Sequence, residues 1–219
     1  MIMIPAFLAI VFLVVITLPF AGVKYKGMIV YLAIILNVIL SGYQAVQALS
    51  GHPFEIIFPG SAFTGTVALR MDALSAWFII IINFIFVTGG YYGFFYMKTY
   101  QNQPKNLSLH GIAFLLLYGS LISLTVIQNG MVFLIAWEIM ALSAFIAVIF
   151  EHNKITTIKA GFNYLIQSHV SILFLMLGFM YAVYKTGSYD FQVLSAYTAH
   201  QEGAAMVILY ITFFVGFAI

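Results

Sequence analysis

Long uncharged apolar runs constrain this chain more than any other feature. Seven can be drawn, at roughly 2–20, 28–49, 72–96, 107–127, 130–150, 161–184 and 204–219. A spanning helix needs about 20 apolar residues. The first six runs are near or above that length, and the last is at its short limit. In hydrocarbon the backbone must satisfy its own hydrogen bonds, which leaves only helices or closed barrels. Barrel strands are short and alternate between apolar and polar residues. These runs are long and continuous, so they are expected to be helices. The expectation is an all-α polytopic membrane protein, a single membrane domain over 1–219 with about seven transmembrane helices.

Composition agrees. The chain is 64% hydrophobic and 6% charged, with eight basic and six acidic residues. A soluble domain carries about 25% charge, so a soluble enzyme or a nucleic-acid binder is excluded. No cysteine is present, which removes disulfides, thiolate nucleophiles and cysteine-ligated clusters. The five histidines are scattered without metal-ligand spacing. No Rossmann glycine pattern is visible, so no cofactor is expected. Met1 to Phe20 lacks a basic n-region and a small-residue cleavage signal, and reads as a retained helix.

The basic residues suggest an orientation. Lys24 and Lys26 follow the first run, Lys98 and Lys105 separate the third and fourth, and Lys154 and Lys159 separate the fifth and sixth. Only Arg70 and Lys185 fall on the other side. By the positive-inside rule the N-terminus is external and the C-terminus cytoplasmic, in a cell inner (cytoplasmic) membrane. Residues 52–71 read as an external loop with Pro53, Pro59, Gly60 and Gly65 as turn formers. Residues 187–201 read as a second external loop with room for a short surface helix. The tight turn at Asn129-Gly130 implies that the fourth and fifth helices pack as an antiparallel pair.

Glu138 is the lone charge in the run from Met131 to Phe150. A carboxyl at membrane depth is costly and faces protein or a wet cavity. Desolvation favours the neutral form of a carboxyl, and a nearby cation favours the ionised form. Such a group serves a proton relay or, as a protonated side chain, locks two helices together. On the sixth run Asn163, Gln167 and Ser171 recur every four residues and form a polar stripe that should face protein or water. His169 lies beside it, at depth, as a relay group or a neutral helix tie. Lys159 stands at the mouth of the same run. It either snorkels to the headgroups or turns inward as a partner of Glu138, about 18 Å away at 1.5 Å per residue. Ser120 and Ser123 on the fourth run hold waters or simply pack helices. Asp72 and Arg70 read as interface anchors, and His110 as a weaker titratable candidate. One carboxylate and one histidine at depth make part of a path. A basic partner for Glu138 is therefore expected on another chain or on a continuation of this one.

Three segments carry a resemblance. Met71-Asp-Ala-Leu-Ser-Ala-Trp-Phe78, Trp137-Glu-Ile-Met-Ala-Leu-Ser143 and Asn163-Tyr-Leu-Ile-Gln-Ser-His-Val-Ser171 resemble the N-terminal half of the antiporter-like proton-conducting subunits. That family serves respiratory complex I, Mrp-type cation/proton antiporters and membrane-bound group 4 hydrogenases. The sixth run is most similar to the branch of hydrogenase-4 component B and formate hydrogenlyase subunit 3. The resemblance implies an inverted-repeat fold in which Glu138 pairs with a lysine of the seventh helix and His169 extends the relay laterally. It implies proton translocation in a redox-driven complex such as a membrane-bound hydrogenase or a NADH-quinone oxidoreductase, with other membrane subunits as partners and no cofactor in this chain. The alternative is a subunit of an Mrp-type Na+(K+)/H+ antiporter. The sequence stops at Ile219, where that seventh helix would begin. The expectation is a fragment or a split subunit whose C-terminal half is supplied in cis or in trans.

Overall fold

The computed structural model describes residues 3–61, 63–199 and 202–219. Eight α-helices are found there: α1 Met3–Thr17, α2 Val23–Leu49, α3 Ala73–Tyr96, α4 Pro104–Val126, α5 Gly130–Val148, α6 Ile155–Thr186, α7 Phe191–Ala199 and α8 Ala204–Ala218. Five of them, α2 to α6, are long and apolar enough to cross a membrane. The apolar helices at Pro5–Phe20 and Ala204–Ala218 are shorter. The chain is an all-helical multi-pass membrane protein by length and composition, and α7 is the short helix of the loop after α6.

One element departs from the helical reading. The loop expected at 52–71 is an antiparallel hairpin, with β1 Phe54–Ser61 paired to β2 Gly65–Met71 and Phe54 opposite Met71. Prolines and glycines dominated the sequence reading of this segment. The β-branched and aromatic residues between them, Phe54, Ile56, Ile57, Phe58, Thr66 and Val67, favour a pleated strand. Gly60 and Gly65 take φ of +64° each at the closing turn, where a side chain would be strained.

The helices pack as two groups. Phe7 and Val11 of α1, Ile34 of α2, Ile79 and Phe86 of α3, and Leu115 and Tyr118 of α4 form the larger buried cluster. Leu134 of α5, Leu175 and Phe179 of α6 and Leu194 of α7 form the smaller one. Between the groups, α4 runs antiparallel against α5, as the tight turn required.

That turn is knotted to the rest of its end of the molecule. Asn129 Oδ1 accepts from the amides of Met131 and Val132 and so caps α5. Its Nδ2 donates to the carbonyls of Thr64 and Thr66 on the hairpin side. The Gln128 amide donates to Ala68 O, the Gly130 amide to Tyr189 O, and the Phe191 amide to Gln128 O. Hairpin, α4–α5 turn and α6–α7 loop thus share one backbone network. At the start of α3, Asp72 Oδ1 accepts from the Ser75 amide at 2.9 Å.

The helix boundaries bring a second difference. The run drawn from residue 28 begins at Val23, so Lys24 and Lys26 are helical rather than loop residues. Lys26 is buried.

Candidate functional site

The α5 cap fixes the height of Glu138. From Gly130 to Glu138 the helix climbs about 12 Å at 1.5 Å per residue. α6 packs along α5 and brings His169 to it. His169 Nε2 lies 3.3 Å from Glu138 Oε1. The other ring nitrogen, Nδ1, is 2.9 Å from Leu165 O. A carbonyl only accepts, so this contact assigns the proton to Nδ1. Nε2 is left facing the carboxylate at ion-pairing rather than hydrogen-bonding geometry, and the two carry opposite charges when the ring is protonated. Moving one proton from Nε2 to Oε1 would turn that ion pair into a neutral one of the same net charge.

This pair is not sealed within the chain. Glu138 is 33% exposed and His169 48% exposed along their side chains. Ile135, Ile139, Leu142, Ile166 and Leu173 are exposed beside them on α5 and α6. Ionisable groups at the depth of a membrane do not face lipid without cost, so this face calls for a cover of protein or water.

The other expected residues fall in different places. Residues two apart on a helix do not share a face, and His169 stands two residues from both Gln167 and Ser171. Ser171 is buried on the far side of α6, where its hydroxyl donates to Gly216 O of α8. Gly216 permits that approach, since a Cβ there would lie 2.7 Å from Leu175 Cδ2. Asn163 and Gln167 are exposed. The stripe on α6 is therefore divided, and its buried end is a helix–helix bond. Ser120 and Ser123 donate to Leu117 O and Gly119 O of their own helix, at 3.0 and 2.8 Å. Lys159 is exposed and makes no ion pair among the described residues. It lies about 15 Å along α6 from His169 at 1.5 Å per residue. The basic group beside Glu138 is thus His169 of this chain, where sequence reasoning had looked to Lys159 or to another segment. Periodicity gives the faces of each helix but not the rotation of α6 against α5.

A second polar group, missed in the sequence, lies among α2, α3 and α4. Asn83 Nδ2 donates to Ser41 Oγ at 3.0 Å, Tyr118 OH donates to Asn83 Oδ1 at 2.6 Å, and Ser41 Oγ donates to Asn37 O at 2.7 Å. Asn37 and Gln44 are buried nearby on α2. Both amide atoms of Asn37, and Oε1 of Gln44, have no partner among the described residues. The signal was available: Asn37, Ser41 and Gln44 recur at helical spacing on one face of α2. None of these side chains ionises near neutrality, so this network holds helices together rather than storing charge.

Sequence comparison supports the resemblance of the motifs. Residues 127–219, which hold the Glu138–His169 pair, match the family described as NADH:quinone oxidoreductase/Mrp antiporter, TM. Hydrogenase-4 component B of Escherichia coli is 29% identical over 148 residues, covering 68% of this chain and 21% of that protein. NADH-ubiquinone oxidoreductase chain 4 of Arabidopsis thaliana is 24% identical over 177 residues, 81% of this chain and 32% of its own length. A putative antiporter subunit mnhA2 of Staphylococcus aureus is 25% identical over 199 residues, 89% of this chain and 24% of its own. The chain thus spans between about a fifth and a third of these relatives. In structure, it superposes with a TM-score of 0.81 at 17% identity on a chain of the membrane-bound sulfane sulfur reductase, an archaeal respiratory membrane complex, covering 99% of this chain and 43% of that one. This chain therefore shares the fold of the matching part of that one.

Proposed function

Because residues 127–219 match the antiporter-like membrane family, we propose that this chain is the N-terminal part of a proton-translocating subunit in a redox-driven membrane complex. The observation that carries the reading is the approach of His169 Nε2 to Glu138 Oε1 on two apolar helices. With Nδ1 held by Leu165 O, Nε2 is the ring nitrogen that faces the carboxyl, and in this reading a proton passes between the two. A cation brought close favours release of that proton, and its withdrawal favours uptake. A charge change in a neighbouring subunit is thereby converted into proton movement.

The open face of the pair supports a further helix packed against it. We assign that helix to a C-terminal half supplied by a longer form of this polypeptide or by a separate chain. The resemblance gives it a lysine directed at Glu138. The basic residues Lys24, Lys98, Lys105 and Lys154 at the helix ends support an external N-terminus and a place in the inner (cytoplasmic) membrane. Asn163 and Gln167, exposed on α6, are the polar groups that such a cover would meet. Lys159 is assigned a place near the proton-uptake surface, remote from the pair itself.

The test is Glu138→Gln in the assembled complex. Proton pumping should fall sharply with the redox reaction and subunit abundance retained, and unchanged pumping would sink the reading. A second reading, a subunit of a Na+(K+)/H+ antiporter, rests on the alignment with the mnhA2 subunit over 89% of this chain. Cation-dependent proton exchange in vesicles without any redox substrate would favour it.

A further inference from the structure

Lys26 poses a problem that the proton pathway does not use. It lies in the first turns of α2 and is only 5% exposed. Its Nζ donates to Pro104 O at 3.0 Å and to Ser108 Oγ of α4. An ammonium has three N–H donors, so one remains. No carboxylate comes within ion-pairing distance among the described residues. A buried cation without an anion is strongly unfavourable.

The missing anion has a place to go. Lys26 lines a cavity of about 90 Å³ between α2, α3 and α4, together with Lys24, Lys98 and His110. No aspartate or glutamate lines it. Lys24 and Lys98 are exposed at its rim, and Nδ1 of His110 is buried without a partner among the described residues. The N-terminus of α2 borders the cavity and has no side-chain cap. Its first-turn amides and dipole add positive potential. Apart from Gln101 the remaining wall is apolar, with Phe94 and Gly93 among its residues. The ring of Phe94 lies 4.3 Å beneath Lys98 Nζ. Lys24, Lys26 and Lys98 stand at helix ends, where headgroups meet a spanning helix.

We propose that this cavity binds the phosphodiester headgroup of an anionic phospholipid. Lys26 donates its third hydrogen to the phosphate from below, and Lys24 and Lys98 close on it from the rim. The cavity is too small for acyl chains, which lie outside along the exposed aromatic face of α3, where Tyr91 and Phe95 are 56% and 50% exposed. Basic pockets between membrane helices on the positive side select anionic headgroups in this way. The site is independent of the proton reading, since it uses none of the same residues.

The experiment uses the chain in its native membrane assembly, transferred to phosphatidylcholine nanodiscs containing a trace of photoreactive phosphatidylglycerol. Crosslinks are expected on residues 23–30 and 89–101, which border the cavity. Lys24→Gln and Lys98→Gln should each weaken labelling roughly fivefold. Gly93→Leu gives an uncharged control, because a Cβ at Gly93 meets no heavy atom within 4 Å and the helix is kept; its side chain should occupy the opening and abolish labelling. Three results would overturn the proposal: equal labelling by photoreactive phosphatidylcholine, labelling unchanged in all three variants, or loss of labelling to millimolar inorganic phosphate, which would mark a free-anion site.

Discussion

His169 Nε2 approaches Glu138 Oε1 to 3.3 Å while Nδ1 of the same ring is held by Leu165 O, 2.9 Å away on its own helix. The ring is thereby fixed in orientation, and only one of its nitrogens is free to exchange a proton with the carboxyl. The carbonyl that anchors a ring in this way also sets its tautomer.

If the pair carries protons, its two members should not be equivalent. Glu138→Gln keeps the shape but removes the exchangeable site, and proton translocation in the assembled complex should drop on the order of tenfold or more, a barrier increase above about 1.4 kcal/mol. His169→Gln keeps a polar contact to α5 and should slow translocation with assembly intact. Joint loss of assembly and transport in both variants, measured by blue-native electrophoresis beside pumping, would instead identify a helix lock.

Asn129 is expected to be the most sensitive uncharged residue at its end of the chain. Asn129→Ala removes the α5 cap, worth about 1 kcal/mol, and strips Nδ2 from the carbonyls of Thr64 and Thr66. Leaving such groups unpaired costs roughly 1–3 kcal/mol. Thermal unfolding in detergent should shift down, and limited proteolysis should open the hairpin first. Asn129→Asp should recover the cap but not the hairpin bonds.

Asp72 should give the hairpin–α3 junction an acid dependence. The Ser75 backbone amide holds its carboxyl below the usual carboxylate range. A carboxyl lowered in the folded state adds stability above its unfolded value, near 3.9, and loses it as pH falls through the folded value. Melting temperature should therefore decline below about pH 4 in the native chain. Asp72→Ala should cost about 0.5–2 kcal/mol at neutral pH and flatten that decline. An unchanged acid profile would show that other carboxylates set it.

The polar core among α2, α3 and α4 predicts opposite signs for two similar changes. Asn83→Leu leaves the buried Tyr118 hydroxyl without its acceptor, while Ser41 keeps its bond to Asn37 O, and should destabilise by roughly 1–3 kcal/mol. Asn37→Leu removes two amide atoms that have no partner. It should be neutral or stabilising. Equal losses in melting temperature would show that Asn37 is satisfied by internal water.

The helices were legible because lipid leaves the backbone few choices. Apolar length alone located α2 to α6, and the motifs quoted from the sequence lie at the start of α3 and on α5 and α6. Glu138 and His169 were each singled out, yet their pairing was not seen. It depends on how α6 is rotated about its axis against α5, and sequence periodicity carries no such term. The same blindness hid Lys26. It was counted only as one charge among six that set the orientation, whereas packing of α4 across α2 buries it. The hairpin was missed for another reason: its turn residues were read and its alternating Phe54, Ile56 and Val67 were not.

The backbone network around Asn129 has a mechanical consequence. It joins the hairpin, the α4–α5 turn and the α6–α7 loop at one end largely through main-chain bonds, whereas the opposite end is tied by side chains, Lys26 to Pro104 O and Ser108 Oγ and Tyr100 OH to Glu151 Oε1. Main-chain bonds fix the spacing of the elements they join, while side-chain ties can swivel about their torsions. A tilt of α5 against α6 would therefore be taken up more easily at the lysine-bearing ends, and Glu138 and His169, partway along, would share part of it.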